Sequence, residues 1–323
     1  MKSMKNFLGS VRTNLSEYYT WILFIGIYLV TGFFIRTLFT ANTFTNVLVQ
    51  GITVCLLSFS MTFVMLVGEI DLSIVAIAAF APLMGILLWE AGIPVLIAIP
   101  LILLIGCLIG FFNGVMITKL KIPSLVQTVA MWWMLSGIVM IITHGEALTG
   151  MPDIWMWLGE TFIGPIPVLA IFFILIIIIA IILARFTVTG RRLYLVGGNS
   201  EACGAMGIPV DRIRIISFII SGFFASLAGY ILSSRMGFVS SSFAVEWLMP
   251  AIAAPVIAGV SLTGGRGNLI NVIAGAYLVQ TIVMIVRTAG ISGYYTEFVQ
   301  GLLVFVAILI NTVRQRVTRP KGL

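Results

Sequence analysis

Apolar residues dominate this chain in long, nearly charge-free stretches, at about 21–39, 45–67, 72–89, 94–117, 124–143, 164–184, 214–234, 246–263, 269–287 and 295–311, separated by short polar connections. A membrane span takes roughly 20 mostly apolar residues as a helix. Backbone in lipid must satisfy its own N–H and C=O groups, which a helix does and an open strand does not. The pattern therefore predicts an all-α membrane protein with about ten transmembrane helices. Residues Met1 to Ser16 contain Lys2, Lys5 and Arg12, but a long apolar stretch follows and no small-residue cleavage site is seen. That marks a retained first span rather than a signal peptide.

Composition agrees. The chain has 323 residues, 60% hydrophobic and 9% charged, against about 25% charged in a soluble domain. Such a chain could not cover a water-facing surface. The net charge of +7 would point to nucleic acid in a soluble protein. Here the cations sit in short loops. With alternating spans, Lys119, Lys121, Arg185, Arg191, Arg192, Arg212, Arg214, Arg266, Arg314, Arg316, Arg319 and Lys321 fall on the same side as Lys2, Lys5 and Arg12. Only Arg36, Arg235 and Arg287 fall opposite. Positive charge gathers in cytoplasmic loops, so both termini are expected in the cytoplasm of a bacterial inner membrane. No basic face or recognition fold for nucleic acid is present. Cys55, Cys107 and Cys203 are far apart and odd in number, which supports neither a disulfide framework nor a metal site.

Residues 1–323 read as one transmembrane domain whose longest internal loop is 185–214. Two external segments look structured, 144–163 with Trp155 and Trp157, and the Ser-rich 235–246 that ends at Glu246. Tryptophan suits the membrane–water interface. Five spans per half would make the halves inverted repeats. Each half has a polar break, Gly68-Glu69-Ile70-Asp71 in the first and Gly264-Gly265-Arg266-Gly267 in the second.

Three segments carry candidate chemistry. In Glu69-Ile70-Asp71-Leu72-Ser73, carboxylates lie between apolar runs. Membrane carboxylates are expensive and face a cavity or a partner, while Asp71 or Ser73 can equally cap the start of a helix. Lining of a translocation path by Glu69, Asp71 and Ser73 is compatible with capping. In the internal loop, Gly190 and Arg191 precede Asn199-Ser200-Glu201-Ala202-Cys203-Gly204 and then Gly207 and Pro209. Asn199 or Ser200 caps, Glu201 suits the positive helix end, and Gly207 with Pro209 stops the helix. The short helix is either a connecting loop held near anionic lipid by its arginines or a docking knob for a soluble partner. In 246–267, Pro250 and Pro255 would distort a helix rich in small residues, and freed carbonyls need a partner or a cavity. Glu246, Pro250 and Pro255 are thus further pathway candidates.

Taken in order, these segments resemble the permease family of ribose, xylose, arabinose and galactose ABC importers, which includes importers of a furanosyl autoinducer. The likeness runs from about Tyr19 to Asn311. Glu69 to Ser73 resembles the family's Gly-Ile-Asp-Leu-Ser stretch. Gly190 to Asn199 is similar to its cytoplasmic Gly-Arg-x-x-Tyr-Ala-x-Gly-Gly-Asn segment, and Ala251 to Gly267 to its Ala-Ile-Ala-Ala…Gly-x-Ser-Leu-x-Gly-Gly-x-Gly segment. Phe111-Phe112-Asn113-Gly114 followed by Lys121-Ile122-Pro123 also looks like the autoinducer branch. The resemblance implies two permease chains, identical or different, forming the pathway. It implies a cytoplasmic ATPase docked on 185–214, and an extracytoplasmic binding protein delivering the solute. ATP would be bound by the partner ATPase, with no cofactor in this chain. The chain departs from the family at Leu248-Met249-Pro250, where members often carry an acidic residue, with Glu246 slightly upstream.

The chain has no Gly-x-x-x-x-Gly-Lys-Ser/Thr phosphate loop. His144 reads as a surface residue, and no nucleophile–base pattern is visible, so catalysis is not expected. The competing reading is an ion-gradient-driven secondary transporter with Glu69 and Asp71 as ion ligands. A membrane enzyme lacks a polar catalytic cluster at one interface, and a passive channel would not concentrate solute.

Overall fold

The computed structural model describes residues 18–290 and 294–318. Lys2, Lys5, Arg12, Arg319 and Lys321, used above to orient the chain, lie outside them.

The helices follow the apolar runs: α1 (Tyr19–Phe34), α2 (Ala41–Met65), α3 (Ile74–Glu90), α4 (Val95–Lys119) and α5 (Ser124–Thr143). A short α6 (Asp153–Glu160) precedes α7 (Val168–Ile181), α8 (Val188–Gly198) and α9 (Ser200–Ala205). The chain then forms α10 (Val210–Met236), α11 (Leu248–Ile257), α12 (Leu269–Thr288) and α13 (Tyr294–Thr318). Among the described residues, 6 helices are long and apolar enough to cross a membrane, α7 counting with its continuation to Phe186; shorter apolar helices cover Tyr19–Phe34, Ile74–Glu90, Val245–Ile257 and Tyr295–Val306.

Helices α2, α10 and α12 form the interior, whereas α4, α5 and α7 turn most of their apolar surface outward. Leu104, Leu108, Trp133, Ile174 and Ile178 are exposed, as lipid contact requires. The tightest crossing joins α4 to α10. A Cβ built on Gly110 would lie 2.1 Å from the Phe218 carbonyl oxygen, and one on Gly106 would lie 2.4 Å from that of Gly222. Gly106, Gly110 and Gly114 recur every fourth residue along one face of α4. Without a hydrophobic drive between helices in lipid, close backbone approach through small residues supplies the packing.

At one end of the bundle, the two segments read from sequence as external join in a small antiparallel pairing of β1 (Leu148–Thr149) with β4 (Phe238–Val239); β2 (Phe162–Ile163) pairs with β3 (Ile166–Pro167). Helix α6 is pinned there by Trp155, whose Nε1 donates to Ser233 Oγ at 3.0 Å, and by the Gly159 N–H, which donates to Ser234 Oγ at 3.0 Å.

The segment read from sequence as a long internal loop contains more helix than expected. Residues 188–198, within the stretch read as a loop, form α8. Thr187 caps it, its Oγ1 accepting from Gly190 N–H at 2.9 Å. A π-helical turn, Ile182–Phe186, links it to α7. Tertiary packing has overridden weak propensity.

Candidate functional site

The first break follows α2. Asp71 is 0% exposed. One carboxylate oxygen accepts from the Ser73 N–H at 3.0 Å and the Ser73 hydroxyl at 2.5 Å, and the other accepts from Ser221 Oγ at 2.8 Å. The network continues outward from each serine. Asn113 Nδ2 donates to Ser73 Oγ at 3.0 Å, and Gln127 Nε2 donates to Asn113 Oδ1 at 3.2 Å. Ser60 Oγ lies 2.8 Å from both the carbonyl and the hydroxyl oxygen of Ser221. One carboxylate thus ties the unwound segment to α2, α4, α5 and α10. Among the described residues Asp71 makes no salt bridge; its partners are hydroxyl and amide donors, as a buried polar group requires. Helix α3 has no side-chain cap from Ser73; Asp71 instead accepts from the N–H of Ser73, the residue just before the helix. The break is also stitched to α5, where Thr128 Oγ1 accepts from Leu72 N–H at 3.1 Å. Glu69 points elsewhere, to an ion pair with Arg214 at 3.7 Å near the start of α10.

The second break follows α11. At ten residues this helix rises only about 15 Å, half of a roughly 30 Å hydrocarbon core. Pro250 is buried in its first turn and Pro255 lies inside it. Irregular backbone follows, with Gly264 and Gly265 both at positive φ, until Asn268 caps α12 by accepting from Ile270 N–H at 3.0 Å. Helix-poor backbone at this depth must be covered by protein or line a cavity.

The two breaks meet, and the loop helix α8 meets them both. Gly265 N–H donates to the Leu66 carbonyl at 2.9 Å. A Cβ on Gly197 would lie 1.9 Å from the same oxygen and 2.5 Å from Gly265 N. A Cβ on Gly264 would lie 2.8 Å from both Gly68 N and Gly197 Cα. Backbone therefore touches backbone in a three-way joint that no side chain at these positions would permit.

Past the joint, α9 projects as a knob. Asn199 Oδ1 accepts from Ala202 N–H at 2.9 Å, Gly207 turns the chain at φ +77°, and Pro209 precedes α10. Glu201 supplies the acidic first turn. Cys203 is buried, whereas Glu201, Ala202, Gly204, Ala205 and Met206 are exposed. Ser200 opens the helix. Gly190 sits where a Cβ would strike the Leu183 carbonyl oxygen at 2.2 Å, and Arg191 Nη1 donates to the Phe186 carbonyl at 3.5 Å. Burial pushes the Tyr194 phenol above its ordinary pKa, while nearby Arg185 pulls it down. At the opposite end of the bundle, Glu246 pairs with Arg287 at 3.3 Å, both side chains exposed.

The predicted residues therefore fall into separate places. Asp71 and Ser73 share the buried network, Glu69 leaves it, and Glu246 lies at the far end from both. Pro250 and Pro255 both lie in α11, just before the second break. Sequence reading singled out neither Ser60, Gln127 and Ser221 nor the glycine ladder of α4. Lone polar residues inside apolar runs, and the Gly-x-x-x-Gly-x-x-x-Gly spacing at 106–114, were the available signals.

Residues 43–308 match the family described as the branched-chain amino acid transport system / permease component. The chain is 31% identical over 277 residues to the ribose import permease protein of Haemophilus influenzae, covering 84% of this chain and 86% of the relative. It is 32% identical over 293 residues to that of Bacillus subtilis, with 90% of each chain covered. It is 33% identical over 304 residues to the autoinducer 2 import system permease protein of Escherichia coli (strain K12 / DH10B), covering 92% of this chain and 86% of the relative. No solved structure matches. The chain belongs to the branched-chain amino acid transport system permease family. It is a multi-pass protein of the bacterial inner membrane, a placement its apolar helices share with those relatives.

Proposed function

We propose that this chain is the membrane-spanning subunit of a binding-protein-dependent ABC importer that brings a sugar or sugar-like solute into the cytoplasm. Energy would come from ATP bound by a separate ATPase subunit. The observation that carries this reading is the exposed α9 knob joined through Gly197 to both helix breaks. A self-sufficient carrier has no need of such a docking surface. The printed solutes of the relatives, ribose and autoinducer 2, support the solute class.

In this reading the chain is one domain with ten crossings, arranged as inverted halves, with both termini and the 185–214 loop in the cytoplasm. The ion pair of Lys119 on α4 with Asp211 on α10, 2.9 Å apart, and the α8–α9 segment then lie inside, and the Glu246–Arg287 pair and the β1–β4 pairing outside. Two permease chains would flank the path, and a solute-binding protein would dock on the outer end. ATP-driven closure of the ATPase pushes α9, and α8 passes the movement to Leu66 and Gly265. Because both breaks hang on one joint, they shift together between two populated states. Asp71 and Ser73 act by holding the first break on α10, with the path running along α11 from Glu246 past Pro250 and Pro255 to the second break.

Purification of the tagged chain from its native membrane in mild detergent tests this. A Walker-containing ATPase in the eluate is the expected result, with a second permease species indicating a heterodimer. Full-yield recovery of the chain alone would favour an ion-gradient-driven carrier.

A further inference from the structure

The outer half of α2 is not an ordinary membrane helix. Asn42, Asn46 and Gln50 recur every fourth residue on one face. Asn42 and Asn46 are exposed, and Gln50 is partly so. Among the described residues the side-chain amides of these two asparagines have no hydrogen-bond partner, their backbone being paired within α2. An amide facing hydrocarbon without a partner is strongly unfavourable, so this face does not look into lipid.

The stripe leads inward rather than ending at a surface. At its inner end Gln50 Oε1 accepts from Gln280 Nε2 of α12 at 2.7 Å, and Gln280 is 2% exposed. Two further polar side chains converge on the same turn of α2. Tyr277 Oη donates to the Leu48 carbonyl at 3.2 Å, and Arg235 Nη1 donates to the Val49 carbonyl at 3.4 Å. Gln50 lies nine residues inside the start of α2, about 13 Å along the helix. The contrast with Asp71 is informative. That network is built on fully buried side chains, Asp71, Ser73, Ser221, Ser60 and Asn113, and reaches partial exposure only at Gln127, whereas this one opens outward along a graded polar stripe.

We infer that the Asn42–Asn46–Gln50 face, ending at Gln280, lines the outer half of a watered solute path and binds a neutral polyhydroxylated solute. The chemistry suits hydroxyls. Whichever way the amides are assigned, the glutamine pair keeps one donating NH2 and one accepting C=O unused, which a single hydroxyl can satisfy together. Successive amides one turn apart would hand such a solute inward without a deep well. This rests on the importer reading for its direction but assigns residues that reading does not name.

The test is aqueous accessibility in the assembled, membrane-embedded protein. Asn42→Cys, Asn46→Cys, Gln50→Cys and Leu104→Cys are each exposed to a membrane-impermeant cationic methanethiosulfonate, with the unsubstituted chain as baseline. Leu104 is an exposed apolar residue nine residues inside α4, at matching depth. Since only a hydrated thiolate reacts, the three stripe positions should react at least about tenfold faster than Leu104→Cys. Reaction at Gln50→Cys no faster than at Leu104→Cys would overturn the proposal. So would protection of Asn42→Cys and Asn46→Cys in the assembly but not in the isolated chain, since that assigns the face to a permease–permease contact. The ATPase content of the same preparation is scored separately, so failure of the importer reading and failure of this site are distinguishable.

Discussion

Gly197 rests directly on the Leu66 carbonyl: a Cβ there would fall 1.9 Å from the oxygen, which at the same time accepts from Gly265 N–H at 2.9 Å. The end of the loop helix, the end of α2 and the second break are therefore one mechanical unit. Contact of backbone on backbone leaves no compliant side chain to absorb a displacement, so packed elements transmit it.

Gly197→Ala should disrupt the joint. The methyl would overlap backbone that cannot rotate away, and overpacking of this kind costs about 1–3 kcal/mol. Gly198→Ala is the control, because nothing lies within 4 Å of its Cβ position; an exposed change of that kind stays within about 0.5 kcal/mol. Thermal unfolding in detergent should separate the two variants, and equal midpoints would dissolve the joint as described.

Asp71→Ala should be more damaging than Asp71→Asn. Alanine strands the buried hydroxyls of Ser73 and Ser221 and the Ser73 N–H, each unsatisfied group costing about 1–3 kcal/mol. Asparagine keeps an acceptor in place and can offer its amide to the Ser221 hydroxyl. The relative melting midpoints check this ordering. Its reversal would mean that charge, rather than the network's connectivity, holds the break.

On α4, Gly110→Ala should lower the yield of folded protein, since its methyl would meet the Phe218 carbonyl oxygen at 2.1 Å. Gly137→Ala on α5 has open space around it and should be neutral or mildly favourable. Size-exclusion profiles of the two variants read the difference.

Lys119→Ala should change little. The Lys119–Asp211 distance is 2.9 Å, but the side chains are 61% and 49% exposed, and exposed pairs are worth about 0–1 kcal/mol. A large drop in the melting midpoint would show that this pair carries load between α4 and α10.

Much of this was legible in the sequence because membrane helices write themselves in long apolar runs. The α9 knob was readable too, since Asn199, Gly207 and Pro209 punctuate it locally. Asp71 and Ser73 could be flagged as costly polar residues, but their partners Ser221, Asn113 and Ser60 are distant in sequence, and only the packing of α2, α4 and α10 brings them together. The Gly197 joint was hidden for the same reason. Glycines at 68, 197 and 264–265 each look like ordinary turn residues, and their common purpose is a contact between three remote segments. Helix α8 was missed because the segment between the apolar runs is polar and was read as a loop, while tertiary contact makes it helical.

The most direct test of the central claim uses Gly204, an exposed position on α9 with nothing within 4 Å of its Cβ direction. Gly204→Arg places a long cation on the docking face without disturbing this chain's own packing. The variant should insert and melt like the unsubstituted protein, yet lose the co-purifying ATPase and ATP-driven uptake. An ATPase retained at full stoichiometry with uptake intact would contradict the assignment of α9 as the site where ATP-driven motion enters this subunit.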